Sequence, residues 1–150
     1  MEFTLRESKW DDLPQIVKLL SDDDLGCFRE EYCLPQCYIE AYRNICEDKN
    51  SRIIVASCER GIIGCMQITF TQYLSHKGSV RATIENVRVA KEMRNLGIGT
   101  RLICHAISLA KEKNASIVQL TTDKKRAEAK KFYEKNGFAN THDGMKFTIK

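Results

Sequence analysis

Apolar residues recur along this chain with two different periods. Trp10–Leu20 carry Leu13, Ile16, Val17 and Leu20 at helical spacing, with Pro14 tolerated in the first turn, and Gln36–Glu47 repeat the pattern through Tyr38, Ile39, Tyr42, Ile45 and Cys46. A longer stripe runs through Ile98, Leu102, Ile103, Ala106, Leu109 and Ala110. A further helical segment, Ala127–Lys135, stops at Asn136-Gly137, a C-terminal cap signal. Between the helices lie β-rich segments: Phe3–Arg6, Ile53–Cys58, Ile62–Phe70, Thr83–Val89 and Ile117–Leu120. Glu59-Arg60-Gly61 has the length and composition of a hairpin turn, which predicts an antiparallel pair. Phe138–Asn140 with Lys146–Ile149, around Asp143-Gly144, predicts a closing hairpin. The pattern is that of an α/β chain without internal repeats or linkers.

Composition narrows the class. A chain of 150 residues with 43% apolar content suits one domain over 1–150 with a real core. A net charge of +4 with bases and acids interspersed argues against a nucleic-acid partner and stays compatible with anionic small molecules. The 7 cysteines form no CxxC pair and fall mostly in helix or strand, which predicts packed, reduced thiols in the cytoplasm. Cys33, Cys37 and His76 match no usual zinc spacing, so no metal is expected. The N-terminus MEFTLRESKWDD has no apolar signal region, and no apolar run approaches the roughly 18 residues of a membrane span.

Candidate chemistry concentrates between Glu85 and Gly137. Arg94-Asn95-Leu96-Gly97-Ile98-Gly99-Thr100 lies between a strand and a helix, and its two glycines let backbone amides crowd together beside the helix dipole. Such a loop suits a pyrophosphate, with Arg94 and Arg101 adding charge. A dinucleotide fingerprint fails because Leu102 stands where its third glycine belongs, and a P-loop fails because Thr100-Arg101 follows Gly99.

The strand Ile84-Glu85-Asn86-Val87-Arg88-Val89, then Arg94-x-x-Gly97-x-Gly99, then Ala129-x-x-Phe132-Tyr133-x-x-x-Gly137-Phe138, resembles the GNAT superfamily of N-acetyltransferases. The opening Leu5-Arg6 through Asp12-Leu13 is similar too, so the resemblance covers nearly the whole chain. It implies a GNAT fold: a mixed, mostly antiparallel sheet of six or seven strands, splayed at its centre, flanked by about four helices. It also implies acetyl-CoA as cosubstrate, with Val87, Arg88 and Val89 along the pantetheine arm and the Arg94–Thr100 amides on the pyrophosphate. Many relatives use an asparagine seven residues before the tyrosine; this chain has Arg126 there, a cation that could serve a phosphate.

An alkylamine has a pKa of about 10.4, so the attacking amine must first lose a proton. Glu85 is the candidate base, placed by strict strand alternation on the face of Val87 and Val89, where desolvation would tune it; His76, in a Ser75-Gly78 turn, is the alternative or an ordinary solvated histidine. The resemblance directs Tyr133 at the cofactor sulfur, as the acid that protonates the departing thiolate or else as a core aromatic. A strand amide near Val87 would stabilise the oxyanion. Cys104 reads as a buried structural thiol rather than a nucleophile.

The acceptor is expected between Leu25–Tyr42 and Tyr73–Arg81, with Phe28, Tyr32 and Tyr73 as aromatic walls and Glu30 and Glu31 for a cation. Leu120-Thr121-Thr122 through Lys125-Arg126, then Phe132-Tyr133 to Thr141-His142, looks similar to the branch acetylating small amines, including aminoalkylphosphonate acetyltransferases. The reading is acetyl transfer to the primary amine of a small molecule. Its alternatives are a protein N-terminus or lysine as acceptor, and a silent acetyl-CoA-binding sensor. The assembly is left open to a homodimer.

Overall fold

The alternating segments assemble into a five-stranded sheet in the order β1 (Thr4–Glu7), β2 (Ser51–Cys58), β3 (Gly61–Gln72), β4 (Val80–Val89) and β5 (Ala115–Gln119). The first three pairings are antiparallel; β4 and β5 run parallel. A parallel pair needs a crossover, and α4 (Ile98–Glu112) supplies it. A 3-10 turn at Trp10–Asp12 leads into α1 (Leu13–Asp22), followed by α2 (Gln36–Glu47) and a single-turn α3 (Ser75–Gly78). α5 (Ala127–Lys135) belongs to a second unit. This computed structural model describes residues 1–22 and 34–150, and the chain divides into two units, Met1–Gln119 and Leu120–Lys150.

In the first unit the sheet is covered on both faces. Successive strand residues point to opposite faces, yet Ile54, Val55 and Ala56 are all 2% exposed or less, as are Cys65 and Met66. α4 lays its stripe of Ile98, Leu102, Ile103 and Ala106 on the sheet, and α1 packs on β3 and β4. Leu13, Val17 and Tyr42 form a smaller cluster with Tyr38, Ile39 and Ile53. The entry to α1 is fixed by Asp12, which accepts from Arg6 Nη1 at 2.7 Å, Arg6 Nη2 at 3.1 Å and the Lys9 amide at 2.8 Å. Those donors hold the Asp12 carboxyl below the usual carboxylate range, the Arg6 hydrogen bond being the largest cause.

The second unit contains α5 and a C-terminal arm, residues 138–150, with neither helix nor strand. α5 ends as the sequence predicts: Gly137 takes a left-handed φ of 96°, its amide donates to Glu134 O at 3.1 Å, and the Phe138 amide donates to Tyr133 O at 3.0 Å. That cap corrects the expected closing hairpin. Phe138 serves the helix end instead of opening a strand, and residues 138–150 contain no strand. Among the described residues the sheet therefore has five strands rather than six or seven, and the helices number one more than expected because of α3.

Candidate active site

The centre of the sheet opens where β4 outruns β5. Their pairing ends at Thr83↔Gln119, and β4 continues through Ile84–Val89 with β3 as its strand partner. Within that stretch the ladder slips: Gln67 faces Glu85 but Cys65 faces Arg88, leaving Asn86 and Val87 opposite the single Met66. This is a β-bulge, and Asn86 takes a left-handed φ of 55° to make it. The buried Cys65 thiol, pushed up to about 12 chiefly by burial, donates to Asn86 O at 3.7 Å.

The bulge corrects the reading from strict alternation. Glu85 sits opposite Gln67 and Val89 opposite Gly64, positions of opposite parity on β3, so Glu85 and Val89 lie on opposite faces of the sheet. Past the bulge the Ala90 amide donates to Ile63 O at 2.9 Å. Alternation then turns the backbone groups of Val89 and Val87 away from β3. Their carbonyls meet Arg94 Nε at 3.2 Å and Arg88 Nη1 at 3.1 Å respectively. Val87, Arg88 and Val89 thus supply a strand edge beyond the last β5 contact.

β4 leads through a 3-10 turn, Lys91–Met93, into the glycine loop. Asn95 has φ 63° and Gly97, the N-cap of α4, has φ 84°. The Arg101 amide reaches Gly97 O at 3.1 Å, whereas the amides of Asn95, Leu96, Gly97, Ile98, Gly99 and Thr100 find no backbone acceptor among the described residues. No acidic residue stands in the first turn of α4, and among the described residues nothing beyond Gly97's own chain neighbours lies within 4 Å of where its Cβ would be. Open donors, a positive helix end and empty space fit an anionic pyrophosphate. Arg94 is exposed here, while Arg101 stacks its guanidinium 4.2 Å over the Phe3 ring.

Glu85 is exposed, so the desolvation expected from its strand position is not supplied by its own neighbours. On the same face of β4, at alternate positions, stand Thr83 and Arg81. The Arg81 guanidinium lies 4.6 Å over the Tyr73 ring, and its Nη1 donates to Gln119 Oε1 at 3.2 Å. Gln119 Nε2 in turn donates to Thr83 Oγ1 at 3.3 Å and Tyr73 Oη at 3.5 Å. The Arg81 Nε is buried without a hydrogen-bond partner, and among the described residues no carboxylate pairs with this cation. His76 is exposed on α3 with φ 51°, as the solvated-turn reading expects.

Tyr133 and Arg126 belong to the second unit. The Tyr133 ring stands edge-on to Phe132 at 5.2 Å and to Phe138 at 5.9 Å, half-buried in a small aromatic group. Arg126 is the N-cap residue of α5, and its amide donates to Asp123 O at 2.9 Å. Phe28 and Tyr32, with Glu30 and Glu31, lie outside the described residues.

The expectation of packed thiols needs correction. Cys65 is buried, but Cys37, Cys46 and Cys104 are exposed. Cys104 falls off the apolar stripe defined by Leu102, Ile103 and Ala106, which explains its exposure. Among the described residues no group of three histidines, cysteines or carboxylates is arranged to hold a metal ion, and no helix is long and apolar enough to cross a membrane. Sequence reasoning passed over Gly64, Arg81 and Gln119. A glycine inside a strand pattern is a signal of close approach, and a Cβ on Gly64 would meet Arg88 O and Ile98 Cγ2 at 3.2 Å each.

Comparison with known proteins agrees with this architecture. The family model described as the acetyltransferase (GNAT) family matches residues 13–138. No curated protein matches the chain. Among solved structures, a transcriptional regulator from Bacillus halodurans C-125 is 47% identical with a TM-score of 0.96, covering 99% of this chain and 100% of that one. Glucosamine-6-phosphate N-acetyltransferase from Arabidopsis thaliana has the same fold at 19% identity and TM-score 0.84, covering 100% of both chains. An aminoglycoside acetyltransferase, meta-AAC0020, from an uncultured soil metagenomic sample aligns at 21% identity and TM-score 0.79, over 99% of this chain and 97% of that one. With the bulged, outrunning β4 and the glycine-capped α4 matched by the family model along most of its length, the chain belongs to the GNAT acetyltransferase family.

Proposed function

We propose that the chain transfers the acetyl group of acetyl-CoA to the primary amine of a small molecule, and that this molecule carries an anionic group. The observation that carries the reading is the end of β4–β5 pairing at Thr83↔Gln119, with Glu85 just beyond it and the amide loop at the far end of the same strand. The Val87–Val89 edge would pair with the pantetheine arm, and the Asn95–Thr100 amides would hold the pyrophosphate. Arg126 would add charge for a phosphate. Both units serve one catalytic domain.

In the reaction Glu85, directly or through a water, takes a proton from the ammonium. The amine lone pair forms the C–N bond at the acetyl carbonyl carbon, with the oxyanion held by a strand amide near Val87. The C–S bond breaks, its electron pair leaves with sulfur, and the Tyr133 hydroxyl protonates the thiolate. The nitrogen sheds its second proton as the neutral amide forms, and that proton passes through solvent to restore the Tyr133 hydroxyl, while solvent removes the proton held by Glu85. Arg81, pre-oriented by Tyr73 and Gln119 and lacking a carboxylate partner, would hold a carboxylate or phosphate on the acceptor. Phe28 and Tyr32 remain proposed acceptor walls. The exposed thiols of Cys37, Cys46 and Cys104 suit a reducing compartment, so we place the protein in the cytoplasm.

The test is mass-spectrometric detection of acetylated product with a panel of neutral, cationic and anionic amines, amino sugars and peptides. The expected result is turnover of an anionic amine, lost in Glu85→Gln and slowed in Tyr133→Phe with acetyl-CoA affinity kept. Equal turnover by wild type and Tyr133→Phe would remove Tyr133 from the mechanism. A second reading has one observation in its favour: the Bacillus halodurans protein is described as a transcriptional regulator. If this chain is such a regulator, it binds acetyl-CoA and yields no product from any amine. Product from peptides alone would instead make a protein N-terminus or lysine the acceptor.

A further inference from the structure

The peptide joining Asn86 to Val87 sits at the bulge, where two residues of β4 oppose the single Met66 of β3. An extra residue disrupts the ladder locally, so backbone groups there lose their regular partners. The Asn86 carbonyl finds a side chain instead: the Cys65 thiol donates to Asn86 O at 3.7 Å. Cys65 is 2% exposed and stands opposite Arg88, the first residue past the bulge. Burial pushes its thiol up to about 12 against the opposing effects of the Arg88 charge and amide, so it keeps its proton at neutral pH. On the other side of the strand, Val87 O accepts from Arg88 Nη1 at 3.1 Å.

A trans peptide is planar, and its C=O and N–H point in opposite directions. Whatever fixes Asn86 O therefore fixes the Val87 N–H. With Asn86 O turned to Cys65 on β3, the Val87 N–H is aimed at the edge of β4 that lies beyond the last β5 contact. We propose that Cys65 is a positioning residue for acetyl transfer, locking the Asn86–Val87 peptide so that the Val87 amide donates to the thioester carbonyl as it becomes an oxyanion. The inference rests on the acetyltransferase function proposed above and gives a role to a buried side chain that touches neither cofactor nor acceptor. No proton leaves Cys65 or Val87. The carbonyl π pair moves onto oxygen as the C–N bond forms and returns as the C–S bond breaks, while the amide stabilises the charge in between. A thiol is a weak donor. Its effect here is on direction, because a hydrogen bond to the oxyanion weakens steeply once its donor is turned aside.

Cys65→Ala and Cys65→Val remove the donor, whereas Cys65→Ser keeps a hydroxyl for Asn86 O. Isotope-edited infrared spectra of acetyl-CoA labelled with carbon-13 at the acetyl carbonyl, bound to each protein, read the hydrogen bond to that carbonyl whatever the acceptor is. The carbonyl band is expected at lower frequency in wild type and Cys65→Ser than in the alanine and valine variants, with acetyl-CoA affinity unchanged in all. Turnover of an accepted amine should fall about tenfold in the alanine and valine variants, less than the roughly 10²–10³-fold loss when such a donor is removed outright, and recover in Cys65→Ser at constant KM for acetyl-CoA. Circular dichroism checks the fold, and if Cys65→Ala unfolds, valine and serine carry the comparison. A carbonyl band at one frequency in every folded protein overturns the role of Cys65 and leaves the acetyltransferase function standing. A Cys65→Ser protein that behaves as the alanine and valine variants do returns Cys65 to packing alone. Acetyl-CoA that fails to bind even wild type overturns the function and the inference together.

Discussion

Gly64 offers a direct test of how tightly β3, β4 and α4 meet behind the site. A methyl group there would stand 3.2 Å from Arg88 O, 3.2 Å from Ile98 Cγ2 and 3.4 Å from Leu102 Cδ1. None of the three can swing aside: one is strand backbone, and Ile98 and Leu102 are 1% and 0% exposed. Overpacking of this kind costs about 1–3 kcal/mol. Removing glycine's freedom in the unfolded chain returns about 0.5–1 kcal/mol. Gly64→Ala should therefore lose about 1 kcal/mol, a fall in Tm of about 2–4 °C for a chain this size. Gly64→Val, with two more methyl groups in the same wedge, should lose about 3 kcal/mol. Because Ile98 begins α4, the strain falls on the amide loop, and affinity for CoA should drop along with stability. Differential scanning calorimetry gives the first quantity and isothermal titration the second. A Gly64→Val protein that melts no lower than wild type would refute the packing argument, and one that melts lower yet binds CoA unchanged would separate α4's start from the loop's function.

Three further outcomes are expected. Asp12→Asn should cost about 2 kcal/mol at neutral pH through loss of the charged hydrogen bonds to Arg6. The folded carboxyl titrates below its unfolded value, so this contribution is complete above about pH 4 and disappears as pH falls through the folded value; wild-type and variant denaturation curves should converge in acid. Cys65, with its thiol raised to about 12, should resist alkylation at neutral pH until unfolding while Cys104 labels readily, and early modification of Cys65 would contradict its burial. Gly97→Ala should lose about 1–2 kcal/mol because φ 84° suits no alanine, although the space is open, whereas Gly97→Asn should recover much of it; equal losses would point to bulk rather than backbone strain.

Much of the fold was legible because it is local. The stripes over Gln36–Glu47 and Ala127–Lys135 match α2 and α5 end to end, and Glu59–Gly61 turns β2 into β3 as its composition implies. The glycine loop was legible for the same reason: Gly97 and Gly99 stand beside the amides they free. The bulge at Asn86 was not, because strict alternation has no place for an extra residue, although asparagine tolerates the left-handed region better than most residues. The closing hairpin failed on competition, since the Phe138 amide that would start it already caps α5.

The acceptor cluster marks the limit of local reading for a physical reason. Arg81 becomes a directed cation only when β3 brings Tyr73 under it and the parallel β5 brings Gln119 beside it, contacts that no spacing along the chain encodes. The bulge then decides what this cation can serve. Regular alternation keeps Arg81, Thr83 and Glu85 on one face and the bulge turns Val89 to the other, so a group held by Arg81 and an amine at Glu85 share one side of β4. Four residues of strand span about 13 Å. The long Arg81 side chain shortens the gap to be bridged, and an acceptor whose anion and amine are separated by a few bonds would fill it. Arg81→Gln should then raise KM for an anionic amine far more than for a neutral analogue of the same length while leaving acetyl-CoA affinity unchanged. Equal effects on the two amines would deny Arg81 the anion and return it to a structural role over the Tyr73 ring.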